Sequence, residues 1–192
     1  MQIAVQQRAR IGEKFCGDAV LQLKGDSTTL IAVVDGLGHG EKAAAAAALF
    51  CDCVREHQQQ ALERIMQAAH KKLRGKRGVV ATLLRIDHLQ MRISVVGLGN
   101  ISLRSRSVEP IKPISFPGVI GSRMRKIKAF EYALHRGDLL VLFSDGISSS
   151  LNLDDYKLQQ NPDMMASQIL HDHGKDHDDA TVVVVSCDAV TV

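Results

Sequence analysis

Residues 30–50 read LIAVVDGLGHGEKAAAAAALF. A run of β-formers, Leu30 to Val34, ends in Asp35, passes three glycines at Gly36, Gly38 and Gly40, and opens into an alanine-rich helix. Such a strand, turn and helix would fix Asp35 at the end of a rigid element. The glycines would let the backbone approach a small ligand with no Cβ atom in the way. A carboxylate held in this manner is a natural cation ligand. It is also a common helix cap, and the stretch alone does not choose between the two.

Working outward, 192 residues with 45% hydrophobic content suffice for one well-buried core. We therefore expect a single domain over residues 1–192. No apolar run approaches the roughly 20 residues of a membrane span, and MQIAVQQRAR at the start lacks the apolar core of a secretory signal. A cytoplasmic protein without membrane contact is expected. Cys16, Cys51, Cys53 and Cys187 show no C-x-x-C spacing. Cys51 and Cys53 would diverge by roughly 200° on a helix, so they cannot share a zinc ion. A net charge of +3 and an aromatic content of 4% argue against nucleic-acid binding.

The order of elements follows from the patterning. Gln2–Arg10 reads as an edge strand. Ala19–Leu23 and the run into Asp35 form a hairpin across Gly25-Asp26, so three antiparallel strands are expected before the first helix. A helix over about Glu41–Glu56 is followed by a second, amphipathic one carrying Leu62, Ile65, Met66, Ala69 and Leu73 on one face. Val79–Ile86, Met91–Val96 and Ile101–Ser105 look like an antiparallel meander. Residues 108–126, with Pro110, Pro113 and Pro117, read as an irregular loop. Strands at Ile127–Leu134 and Leu139–Ser144, a helix over about Pro162–His171 and a last strand at Thr181–Cys187 complete the chain. The implied class is α+β, a four-layer α/β/β/α sandwich of two antiparallel sheets flanked by helices.

Four aspartates share one kind of position. Asp18 precedes a strand, Asp35 and Asp145 each end a strand and precede a glycine, and Asp178 stands just before the last strand. Strand ends from distant parts of a sequence can meet at one rim of a sandwich. Carboxylates without sulfur suit a hard cation. Two such ions roughly 3.5–4 Å apart would turn a shared water into an in-line nucleophile for a phosphoryl group.

The set CGD at 16–18, VVDGLGHGEKAA at 33–44, FSDGI at 143–147 and DDATVVVV at 178–185 resembles the metal-dependent protein serine/threonine phosphatases of the PPM family. The similarity is greatest to the bacterial SpoIIE-like branch and, within it, to the small stand-alone RsbX type. It runs over essentially the whole chain. It implies a β-sandwich flanked by helices and two Mn²⁺ or Mg²⁺ ions. The reaction it implies is hydrolysis of phosphoserine or phosphothreonine by a hydroxide bridging the ions.

By the same resemblance Asp35 bridges the ions and the Gly36 carbonyl contributes to one of them. Asp18 holds the second ion, directly or through water, and Asp145 and Asp178 hold the first. Asp35 and Asp145 thereby act on the reaction through the metal-bound water, and Asp179 falls in the second shell. The implied substrates are phosphorylated STAS-domain proteins of a stress-signalling complex, the stressosome.

Three departures from the broader family matter. Its histidine after Asp-Gly is Leu37 here, which leaves His39 either a general acid or a solvent-facing or capping side chain. Its third-metal aspartate is Asn100, which points to a two-metal core with Asn100 in the second shell. Its phosphate-clamping arginine has no evident counterpart, Lys14 being the nearest substitute. His171, His173 and His177 read as a solvated polar loop. The basic runs 71–77 and 123–128 read as solvated faces, with docking to an acidic phosphoprotein as the functional alternative. The rival readings are a catalytically silent phosphoprotein-binding module of the same fold and a nucleotide phosphodiesterase.

Overall fold

In the computed structural model, residues 1–157 and 160–187 are described; the expected domain also includes 158–159 and 188–192, which lie outside the described residues. Ten strands, three helices and one 3-10 turn follow the order β1 (Gln2–Arg8), β2 (Asp18–Lys24), β3 (Thr28–Gly36), α1 (Glu41–His57), α2 (Leu62–Lys72), β4 (Val79–Asp87), β5 (Arg92–Leu98), β6 (Ser102–Arg106) and β7 (Ser115–Phe116). Then come β8 (Phe130–Ala133), β9 (Leu139–Phe143), the 3-10 turn Leu153–Asp155, α3 (Pro162–His173) and β10 (Ala180–Ser186). One sheet has the order β1-β10-β9-β6 and the other β2-β3-β4-β5-β7, with β8 also paired to β5.

Hydrophobic residues divide into three layers, and that division makes the sandwich. Between the sheets lie Ile31, Val33, Leu84, Ile93, Leu140, Val183 and their neighbours. The opposite faces of β3 and β4 present Ala32, Val34, Ala81 and Leu83 to Phe50, Val54, Ile65 and Met66 of α1 and α2. On the far side Val141, Val182 and Val184 meet Met165, Ala166 and Ile169 of α3. The period-2 alternation of β3 and β10 thus feeds two cores at once. Burying each Leu, Ile or Phe there contributes about 1.5–3 kcal/mol. The small alanines of α1 bring it close to the sheet. Among the described residues no helix is long and apolar enough to cross a membrane.

The four-layer expectation holds, but pairing within it differs. β1 does not join the β2–β3 hairpin; it pairs with β10 at the edge of the other sheet. β6 likewise leaves the expected meander and pairs with β9. The chain changes sheets at Gly99, whose φ of 99° favours glycine, before Asn100. β8 is four residues rather than eight. The proline-containing segment is not wholly irregular, because β7 pairs in parallel with β5 and Val119 bridges to Arg123. The third helix reaches His173, so His171 and His173 are helical, and of the three histidines only His177 remains in a loop.

Candidate functional site

The register of the β2–β3 hairpin places Asp18 directly opposite Asp35. The turn after Asp35 is held from several sides. The Gly36 amide donates to the Gly17 carbonyl (3.1 Å), the Leu37 amide to the Gly78 carbonyl (3.0 Å), and Arg77 Nη1 to the Leu37 carbonyl (2.8 Å). Gly38 takes a φ of 83° beside that guanidinium, where a Cβ would stand 2.7 Å from Nη1. Arg77 of the first basic run is therefore a structural tie, and Lys72 of the same run pairs with Glu56.

The other sheet delivers the remaining acids. Ser144, at the end of β9, donates its hydroxyl to Asp18 Oδ2 (2.6 Å) and accepts the Thr181 amide (3.0 Å), which ties the two sheets together at this rim. Asp145 follows directly. Its Oδ2 accepts from Asn100 Nδ2 (2.6 Å), and its carbonyl accepts from Lys175 Nζ (2.6 Å). Asp179 is buried, with Oδ1 accepting the Arg10 amide (2.9 Å). Asp178 stands in front of it on the cavity wall.

Asp35, Leu37, Gly38 and His39 line one side of a cavity of about 620 Å³, facing Asp145 and Asp178. Asn100, Arg10, His177 and the segment Pro117-Gly118 complete the rim. Asp18 and Asp179 lie behind the wall, in the buried layer.

The electrostatics follow from this crowding. Burial, then the neighbouring carboxylates of Asp18, Asp145, Asp178 and Asp179, push Asp35 up to about 8. Burial raises Asp18 to about 6 against the opposing hydrogen bond from Ser144. Asp145 is also raised, by burial and by Asp178, with Lys175 opposing. Asp179 Oδ2 is buried with no hydrogen-bond partner. So much negative charge with an orphaned oxygen is costly unless a cation offsets it. The donors are all oxygens, which fits Mg²⁺ or Mn²⁺ rather than a softer metal.

Close as they are, no three of these carboxylates have donor oxygens all within 4.8 Å of one another. Among the described residues, the only three potential metal ligands whose donor atoms all lie within 4.8 Å are Cys53, Glu56 and His57. Those are already engaged: Glu56 binds Lys72 (2.7 Å), and His57 Nδ1 bonds the Cys53 carbonyl (3.0 Å). The aspartate rim, with its raised acids and open cavity, is the better cation site.

The structure brings Asp18, Asp35, Gly36, Asn100, Asp145, Asp178 and Asp179 to one rim of the sandwich. His39 lines the cavity and is solvent-facing, with Nδ1 bonded to Glu13; it does not cap α1, where Gly40 provides no side-chain bond. Lys14 is not on the wall, and its ammonium lies over the Phe15 ring at 5.6 Å. Arg10 takes the place expected for a cation there. Sequence reasoning missed Arg10 and His177. No local signal marks Arg10, which meets Asp179 across 169 positions, whereas His177, read above as part of a solvated polar loop, directly precedes Asp178-Asp179.

Comparison with known proteins agrees with this fold. The phosphoserine phosphatase RsbX of Bacillus subtilis (strain 168) is 27% identical over 150 residues, 77% of this chain and 75% of that protein. A chain from the structure described as "The bacterial stressosome: a modular system that has been adapted to control secondary messenger signaling" superposes with a TM-score of 0.90 at 32% identity, covering 95% of this chain and 97% of that one. The crystal structure of RsbX in complex with magnesium shares the fold, with a TM-score of 0.85 at 24% identity over 95% of this chain and 93% of that one. Residues 25–188 match the family model described as Stage II sporulation protein E (SpoIIE), and with that match over most of its length the chain belongs to the SpoIIE family.

Proposed function

We propose that this protein is a metal-dependent phosphatase that hydrolyses phosphoserine or phosphothreonine on a regulatory phosphoprotein. The observation that carries the reading is the meeting of Asp35, Asp145 and Asp178 on the wall of one cavity, with Asp18 and Asp179 buried near Asp35 and Asp35 pushed up to about 8. The likeness to a phosphoserine phosphatase supports it. The likeness to a stressosome component supports phosphorylated STAS-domain proteins as substrates and the cytoplasm as the place of action.

Asp35, the Gly36 carbonyl, Asp145 and Asp178 would hold the ions, with Asp18 reaching the second one directly or through water. Two Mn²⁺ or Mg²⁺ ions bound there would supply Lewis acidity to the phosphoryl oxygens and an activated water. Arg10 is placed to hold a phosphate oxygen, and its planar guanidinium suits two oxygens better than Lys14 could. Glu13 holds His39 Nδ1, which leaves Nε2 as the atom that can pass a proton to the departing serine oxygen. Asn100, where a third-metal aspartate would stand, acts instead as a donor that fixes the rotamer of Asp145.

Two measurements test this. Phosphorylated STAS-domain proteins and p-nitrophenyl phosphate should both be dephosphorylated only when Mn²⁺ or Mg²⁺ is supplied. Phosphate release that is indifferent to metal, or binding of the phosphoprotein without turnover, would replace the enzyme with a silent binding module. Asn100→Ala frees Asp145 Oδ2, and loss of such a supporting bond typically weakens metal affinity by about 10–100-fold. We expect the lower part of that range by calorimetric titration, with turnover restored at saturating metal. An unchanged affinity would remove Asn100 from the site.

A further inference from the structure

Beside the catalytic cavity lies a second one of about 500 Å³, and the two share Pro117 and Gly118 in their walls. Phe116 and Val119 extend the floor, and Arg123, Arg125 and Lys126 form the side. Pairing with β5 fixes the floor. Phe116 is opposite Leu98, its carbonyl accepts the Gly99 amide (2.9 Å), and Ser115 Oγ donates to the Gly99 carbonyl (2.8 Å). One residue further, Asn100 holds Asp145. The groove is thus joined to the catalytic rim by continuous hydrogen-bonded backbone.

The wall is fixed as well. The amides of Val119 and Arg123 each donate to the other's carbonyl, at 2.7 and 2.9 Å, and Val79 and Ile120 bond reciprocally. Phe116 stacks on Phe130 at 6.4 Å, with Lys126 Nζ over the Phe116 ring at 5.7 Å. Among the described residues, neither Arg123, Arg125 nor Lys126 has a carboxylate within salt-bridge distance. Three clustered cations on an apolar, well-anchored ledge that opens directly onto the acidic catalytic cavity form a surface complementary to an acidic segment with apolar atoms.

We propose that this groove docks an acidic segment of the substrate polypeptide flanking the phosphorylated residue, and that Arg123, Arg125 and Lys126 are specificity-determining residues. The inference rests on the phosphatase reading and adds which phosphoproteins are preferred. The phosphoryl group enters the catalytic cavity while the neighbouring chain crosses Pro117-Gly118. Its Asp or Glu side chains then meet the cations, and its apolar atoms meet Phe116. Exposed charge pairs are individually weak, and three together correspond to roughly tenfold in affinity.

The test compares the parent enzyme with R125E and with R123E/R125E/K126E, all with Mn²⁺. The substrates are p-nitrophenyl phosphate, a phosphoserine peptide with acidic flanks and one with neutral flanks. The parent should prefer the acidic peptide, and added salt should erase that preference. The triple variant should raise KM for the acidic peptide about tenfold or more, leaving its kcat and the hydrolysis of p-nitrophenyl phosphate unchanged; R125E should fall between. Equal effects on both peptides, or no effect on either, overturn the groove while the phosphatase stands. A joint loss on all three substrates likewise overturns it, by assigning the cations a role in structure alone. A parent that hydrolyses none of the three overturns the phosphatase reading itself.

Discussion

Asp35→Asn should abolish metal-dependent phosphate release, by a factor on the order of 10³ or more in kcat, while leaving the metal-free protein folded and more thermostable than the parent. Both halves come from one geometry. Asp35 stands opposite Asp18 across the β2–β3 hairpin and faces Asp145 and Asp178 across the cavity. On the proposed reading Asp35 would help to hold the cations, and electrostatic contributions of this kind are among the largest single terms in catalysis. Without cations its ionised form is one negative charge too many, which is why it holds its proton up to about pH 8. A neutral amide of the same shape removes repulsion and keeps the backbone bonds of Gly36 and Leu37.

A structural aspartate would show the opposite signature. Asp138 is buried, and its two oxygens accept the amides of Val108 and His135. Asp138→Asn should lose stability and keep its metal dependence. Thermal unfolding in EDTA, set beside Mn²⁺-dependent hydrolysis of p-nitrophenyl phosphate, reads both quantities. An Asp35→Asn protein that is inactive and also less stable without metal would show Asp35 to be a scaffold residue.

How much of this could be read from the sequence depends on whether the signal was local. Asp35 and Asp145 were legible because each ends an apolar strand and precedes glycine. Asp18 and Asp178 were legible because they sit where a strand begins or is about to. Such positions depend on neighbours within a few residues, and the two sheets and outer helices followed from period-2 and period-3.6 patterning in the same way. Strand partners were not legible. Nothing in QIAVQQR says that it pairs with residues 180–186 rather than with its neighbour in sequence, and nothing in SLRSR says that it crosses at Gly99 to join β9. Those choices are made by which apolar face is left to cover, a property of the assembled sandwich. Arg10 illustrates the same limit: its amide is held by Asp179, 169 positions away. The basic run 123–128 was visible, but its meaning came only with the apolar ledge beneath it and the cavity next to it.

The stability of the metal-free protein should fall as pH rises from about 5.5 to 8, and saturating Mg²⁺ should reverse the trend. The sign follows from Asp35 and Asp18. Their folded-state values, about 8 and about 6, lie above the unfolded carboxylate value of 3.8. Between those limits the folded chain holds protons that the unfolded chain has released, so raising the pH favours unfolding. The contribution of Asp18 levels off above pH 6 and that of Asp35 above pH 8. One unit of pKa difference corresponds to about 1.4 kcal/mol. After a large discount for partial exposure, roughly 2 kcal/mol is expected, or about 4–8 °C in Tm for a chain of this size.

One group opposes this slope. His70 accepts the Gly121 amide at Nδ1, and burial lowers its value, so its contribution grows with pH near 6.5. Asp35→Asn separates the two, because it removes the largest raised carboxylate and leaves His70 untouched. Its Tm in EDTA should be nearly flat over the same range. Mg²⁺ must displace the protons that these carboxylates hold at low pH, so the shift it produces should be small at pH 5.5 and largest at pH 8. Calorimetry at three pH values, with EDTA or Mg²⁺, measures every term. A metal-free Tm that climbs between pH 5.5 and 8, or a Mg²⁺ shift that shrinks over that interval, would mean that the acidic rim is not where the cations bind.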